Sequence, residues 1–178
     1  MEYLKNKVVC VLVVKNLEGL QNKIRALVAD GFDVFEVTLR TDVALDAIRS
    51  IKRDFPSLKV GAGTILNVEQ LDESICAGAD FGVSPGLNEL IISKSKERNF
   101  DFIPGVATPT EIERAIALGL CLVKLFPAKL LGGVEYIQAI SGPYRNMYFM
   151  PTGGVNESTA KDYLDLDNVL CVGGSWMF

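Results

Sequence analysis

A parallel α/β barrel of eight strands is the architecture this sequence predicts, and three observations point to it. Short apolar, strand-like segments alternate with helical ones along the whole chain, eight of the first kind and seven of the second. The first strand-like segment is apolar on both faces, as strands buried between helices in a parallel sheet are. The fourth to seventh segments each close in proline or Pro-Gly, which marks equivalent strand ends. Eight strands favour closure into a (β/α)8 TIM barrel over an open doubly wound sheet, the alternative arrangement. The expected organisation is one domain over residues 1–178.

Val8–Val14 is the first strand, and Leu17–Ala29 follows with apolar residues at helical spacing, stopped at Gly31. Val34–Arg40 alternates cleanly. Phe35, Val37 and Leu39 share one face, and Val34, Glu36, Thr38 and Arg40 share the other. A helix over Val43–Phe55 ends before Pro56. Lys59–Thr64 is a third strand running into glycines, Val68–Ala77 a helix, and Phe81–Ser84 a strand closed by Pro85-Gly86. A helix over Leu87–Arg98 leads to Phe102-Ile103, closed by Pro104-Gly105. Thr108 then offers an N-cap, with Pro109 at the first helical position and Glu111 at the third, for a helix reaching Leu118. The sixth strand is Cys121–Phe126, closed by Pro127. A helix over Gly133–Ser141, a strand Tyr148–Met150, a helix Glu157–Leu164 and a last strand Val169–Val172 complete the pattern. At 178 residues the chain is short for this barrel, which typically takes about 250. No substantial helix precedes the first strand and none follows the last, so the natural chain is expected to continue beyond Phe178.

With 49% hydrophobic and 22% charged residues the composition is globular. A net charge of −4 argues against nucleic acid as a partner. The run Val8–Val14 is too short to span a bilayer, and no signal peptide is evident, so a cytoplasmic location without membrane contact is expected. Four cysteines with no CxxC, three of them in strand-like runs, suggest buried, reduced thiols and no metal site. Histidine is absent. A zinc aldolase or a Ser-His-Asp hydrolase would ordinarily need it, so proton transfer falls to a carboxylate, lysine, tyrosine, hydroxyl or water.

Lys124 lies in the middle of an otherwise apolar strand. Desolvation disfavours an ammonium, and a neutral lysine attacks ketones to form a Schiff base. A strand-end lysine that snorkels to water or pairs with a carboxylate is the competing reading. Glu36, Thr38 and Arg40 lie on the strand face opposite the one the helices cover, so they point into the barrel or over its mouth. Glu36 and Arg40 fit either a catalytic carboxylate with an anion-binding cation or a buried ion pair. Thr64, just past the third strand, fits a ligand contact or a turn cap. Thr152-Gly153-Gly154 and Gly173-Gly174-Ser175 end the last two strands, where this fold usually binds phosphate through backbone N–H groups.

Six stretches together resemble the motifs of the 2-keto-3-deoxy-6-phosphogluconate (KDPG) / 4-hydroxy-2-oxoglutarate (KHG) aldolase family. They are Phe35–Thr41, Val60–Thr64, Val83–Gly86, Lys124–Ala128, Pro151–Gly154 and Cys171–Trp176, in order over nearly the whole chain. The resemblance implies a class I aldolase needing no cofactor or metal, acting on a small phosphorylated keto sugar acid and assembling as a homotrimer. It gives Lys124 the Schiff base, Glu36 the acid/base role, and Arg40 and Thr64 the pyruvate carboxylate. Pro85 and Phe126 would stand beside the pyruvate methyl, and Thr152, Gly153, Gly154, Gly174 and Ser175 would hold the phosphate. A non-catalytic phosphosugar-binding barrel, or an isomerase or synthase on a similar barrel, are the alternatives.

Overall fold

The computed structural model describes all residues, Met1–Phe178. All the strand pairings are parallel. One ladder runs through six strands: β5 (Asp101–Ile103), β4 (Phe81–Val83), β3 (Lys59–Gly63), β2 (Val34–Thr38), β1 (Lys7–Leu12) and β9 (Cys171–Gly174). A second joins β6 (Gly105–Val106), β7 (Leu122–Leu125) and β8 (Tyr148–Pro151). Bridges from Phe149 to Val169 and from Thr152 to Gly173 bring β8 against the β9 segment. The result is a TIM-barrel-like α/β fold.

The fifth expected strand differs from expectation. It continues past Pro104 and changes partner there: Val83 pairs with Ile103 before the proline, and Gly105 pairs with Lys124 after it. Pro104 has no N–H to give the ladder, which breaks at that residue. Gly105 is required at this crossing, because a Cβ there would overlap the carbonyl of Pro85.

Seven helices alternate with the strands: α1 (Leu20–Ala29), α2 (Ala44–Asp54), α3 (Val68–Cys76), α4 (Glu89–Glu97), α5 (Pro109–Ala117), α6 (Gly133–Ser141) and α7 (Glu157–Leu164). The Thr108 cap forms as expected, in a reciprocal capping box with Glu111. Asn156 caps α7 in a second capping box, with Thr159, while Asn67 and Asn88 cap α3 and α4 by accepting from backbone N–H groups of the first turn. α1 begins three residues later than its periodicity suggests, because Gly19 at φ 70° sets its start and leaves Leu17 exposed. A single 3-10 turn, Glu2–Leu4, precedes β1.

Alternation along the strands sorts the core into two environments. Phe35 and Val37 pack with Cys10, Leu12, Ile48 and Ile51 beneath the helices. The opposite face of the strands builds an inner cluster of Val9, Val34, Phe81, Val83, Ile103, Leu122, Met150 and Cys171, joined by Leu4 from the 3-10 turn. This apolar plug fills the inside of the fold below the polar residues of β2 and β7. Two cysteines depart from expectation: Cys10 and Cys171 are buried, but Cys76, at the end of α3, and Cys121 are exposed, the latter because β7 begins only at Leu122.

Candidate active site

β2 and β7 bring two distant charges together inside this shell. Leu122 and Lys124 share a strand face, so Lys124 rises just above the apolar plug. Glu36 stands two residues above Val34 on β2 in the same sense. The Lys124 ammonium donates to Glu36 Oε1 at 3.1 Å and to Oε2 at 3.4 Å. Glu36 is fully buried and Lys124 is 5% exposed. Lys124 thus pairs with a carboxylate across the interior and does not reach out to water. Glu36 pairs with Lys124 and not with Arg40, which removes the buried Glu36–Arg40 ion pair weighed from the sequence. Arg40 is exposed and forms no ion pair.

Room for the Glu36 carboxylate comes from Gly63, which is two residues beyond Gly61 on β3. Glu36 registers with Gly61 and Thr38 with Gly63. A Cβ at Gly63 would stand 2.7 Å from Glu36 Cγ and Cδ and nearer still to Oε1. Thr38, buried above Glu36, ties its hydroxyl to the Leu12 carbonyl at 3.1 Å and so fixes β2 against β1. Beneath the pair, burial and then the Glu36 carboxylate push the Cys171 thiol pKa upward, which keeps that sulfur neutral.

Above the pair, the ends of β1, β2, β7, β8 and β9 enclose a cavity of about 220 Å³. Its walls include Arg40, Phe126, Thr152, Gly153, Gly154, Gly174 and Ser175. Phe126 links the two levels, since its ring centroid is 5.6 Å from Lys124 Nζ. Gly153 and Gly154 take φ values of 95° and 80°, a left-handed turn in the cavity wall that only glycine adopts without strain. The Trp176 ring lies on Gly174 so closely that no side chain fits there. Thr64 sits beside the site at φ 63°, an uncommon and strained conformation for a β-branched residue and one that clusters at functional positions. Pro85 is half-buried in the turn packed on Gly105. Glu36, Lys124 and Phe126 therefore converge, and the two glycine turns and Arg40 meet in the adjoining cavity. Gly63, Thr38 and Trp176 were not among the expected site residues. Thr38 was visible on the polar face of β2, whereas the role of Gly63 appears only once β2 and β3 are in register.

Comparison with known proteins decides the family. The family model for KDPG and KHG aldolases matches residues 2–178. The chain belongs to this aldolase family. It is 48% identical over 170 residues to the KHG/KDPG aldolase of Escherichia coli strain K12, covering 96% of this chain and 80% of that protein. It is 46% identical, with the same coverage, to the 2-dehydro-3-deoxy-phosphogluconate aldolase of Dickeya dadantii. A KDPG aldolase from Legionella pneumophila, solved with pyruvate captured as a covalent carbinolamine, superposes with a TM-score of 0.93 at 39% identity, covering 98% of this chain and 85% of that one. The Zymomonas mobilis KDPG aldolase solved with 3-phosphoglycerate superposes equally well. Family membership makes the chain a carbon–carbon lyase of the aldolase type.

Proposed function

We propose that this aldolase cleaves KDPG to pyruvate and glyceraldehyde 3-phosphate through a Schiff base on Lys124, and that it also accepts 4-hydroxy-2-oxoglutarate, giving pyruvate and glyoxylate. The single observation that carries this reading is the buried contact of Lys124 with Glu36. A non-catalytic phosphosugar-binding barrel would use the glycine turns but has no need of an amine and a carboxylate facing each other in a dry interior. An isomerase or synthase would need no covalent imine.

The proposed sequence starts with Glu36 taking a proton from the Lys124 ammonium. The free amine attacks the C2 ketone, and the carbinolamine loses its hydroxyl as water using the proton that Glu36 holds. The protonated imine then draws in the electron pair of the C3–C4 bond as that bond breaks. Glu36, again a carboxylate, takes the proton of the C4 hydroxyl, and the aldehyde leaves. Returning that proton to C3 of the enamine gives the pyruvate imine, which water hydrolyses. Arg40 supports the pyruvate carboxylate by a charge-assisted contact. Thr64 holds it from the other side, and Pro85 and Phe126 enclose the methyl end. Thr152, Gly153, Gly154, Gly174 and Ser175 hold the phosphate through backbone N–H groups and hydroxyls. The proposed scaffold is one domain over residues 1–178 forming a (β/α)8 barrel that lacks the last helix and a long N-terminal helix, in a cytoplasmic homotrimer.

Mixing the purified protein with KDPG and following pyruvate through lactate dehydrogenase and NADH tests the reading. Turnover that survives a strong chelator is the expected result. No pyruvate from either KDPG or 4-hydroxy-2-oxoglutarate refutes it.

A further inference from the structure

Lys129 packs against Gly154, a wall residue of the same cavity, and lies outside the proposed chemistry. Backbone hydrogen bonds from Ala128 N to Thr152 O at 2.8 Å and from Lys129 N to Gly153 O at 3.0 Å bind the turn after β7 to the turn after β8. The Lys129 side chain is laid along Gly154. A Cβ built on that glycine would stand 2.5 Å from Lys129 Cβ, 2.9 Å from Cδ and 3.2 Å from Cγ. Three consecutive stem carbons against one glycine fix the direction of the stem, and the ammonium lies only two bonds beyond Cδ. The lysine is exposed, and its ammonium makes neither a hydrogen bond nor an ion pair. The chain as a whole is acidic, at −4, yet this mouth carries two cations without carboxylate partners, Arg40 in the cavity wall and Lys129 beside the glycine turn.

We propose that Lys129 is a specificity-determining residue that favours phosphorylated over unphosphorylated substrates. The inference rests on the reading of Gly153 and Gly154 as a phosphate site. An anion held on those N–H groups lies well within the roughly 8–10 Å over which salt leaves charges interacting, and no competing carboxylate neutralises the ammonium. Exposure keeps the effect modest, because a single exposed ion pair shifts binding only a few-fold. The charge stands at the phosphate end of the ligand, so it acts on binding and leaves the Lys124 chemistry alone.

Lys129→Met keeps the stem on Gly154 and removes only the charge, and Lys129→Arg restores it. With Lys129→Met, the KM for KDPG and the Ki for inorganic phosphate should each rise roughly 2–5-fold. kcat should hold, and kcat/KM for 4-hydroxy-2-oxoglutarate should stay within twofold. Lys129→Arg should behave as wild type, and the KM difference should shrink at high salt. An unchanged KM for KDPG in Lys129→Met overturns the proposal, as does an equal loss with both substrates. Absence of competitive inhibition by phosphate in the wild-type enzyme removes the phosphate site itself, and this proposal with it. Inhibition of the wild type by phosphate, with Lys129→Met unaffected, rejects Lys129 alone.

Discussion

Gly63→Ala adds one methyl group where the structure has no space for it. The new Cβ would stand 2.7 Å from Glu36 Cγ and Cδ. Carbon atoms are comfortable at about 3.5 Å, so the carboxylate must retreat by about 0.8 Å, and Oε1 by more. The Lys124–Glu36 contact, now 3.1 Å, then opens towards 4 Å, beyond hydrogen-bond reach. Misplacement of a reacting group by about 1 Å costs on the order of 10²-fold in rate, so kcat should fall by about that factor. Gly63 does not lie at positive φ, so alanine fits its backbone and the penalty comes from overpacking alone, about 1–3 kcal/mol. For a chain of this size that lowers Tm by roughly 2–12 °C. Circular dichroism melting, the pyruvate-release assay and phosphate inhibition on this variant separate the two effects. The expected outcome is a folded protein with normal phosphate inhibition and kcat cut about a hundredfold. A kcat within threefold of wild type would refute the claim that the position of Glu36 matters to the reaction.

The remaining expectations follow from the same site. Glu36→Gln keeps the shape but not the proton transfer, and turnover should drop about 10²–10⁴-fold while phosphate inhibition persists. A turnover loss matched by an equal loss of folded protein would make Glu36 structural. Arg40→Lys keeps the charge but loses the two-pronged geometry that suits a carboxylate, so KM should rise for KDPG and 4-hydroxy-2-oxoglutarate alike; identical kinetics would remove Arg40 from the pyruvate end. A thiol reagent at pH 8 should label Cys76 and Cys121 quickly and Cys10 and Cys171 only on unfolding. Burial pushes the Cys10 thiol pKa up to about 12 and raises that of Cys171 too, so neither forms thiolate at that pH; fast labelling of all four in the native protein would contradict the packing.

The alternation of β2 was enough to put Glu36 and Thr38 inside and Phe35 and Val37 under the helices, because a period of two leaves no other choice once one face is apolar. Lys124 stood out for the same reason. What the one-dimensional pattern does not carry is which residues on different strands stand side by side. The choice of Lys124 as the partner of Glu36, with Arg40 left free, depends on how the strands are ordered and registered. The space that Gly63 leaves for a carboxylate is a property of two strands together. The strand break at Pro104 was visible as a proline, but its continuation through Gly105 to pair with Lys124 depends on the neighbouring turn at Pro85. Cys121 looked like the first residue of a buried strand because Leu122 and Val123 follow it, yet the strand starts one residue later and the thiol faces out. The cap at Thr108 was readable from its Pro109 and Glu111, whereas Asn88, which caps α4, fell inside the helix expected over Leu87–Arg98.

Sodium borohydride added to the enzyme with pyruvate, followed by peptide mass mapping, puts the central claim to its most direct test. Reduction of the imine fixes the three carbons of pyruvate on the attacking lysine. The account predicts one modified peptide, spanning Leu122–Phe126, with the added mass on Lys124 and no labelling in Lys124→Arg, whose guanidinium stays protonated. Labelling at Lys129 or Lys15 with Lys124 unmodified, or no labelling in an enzyme that still releases pyruvate, would contradict it.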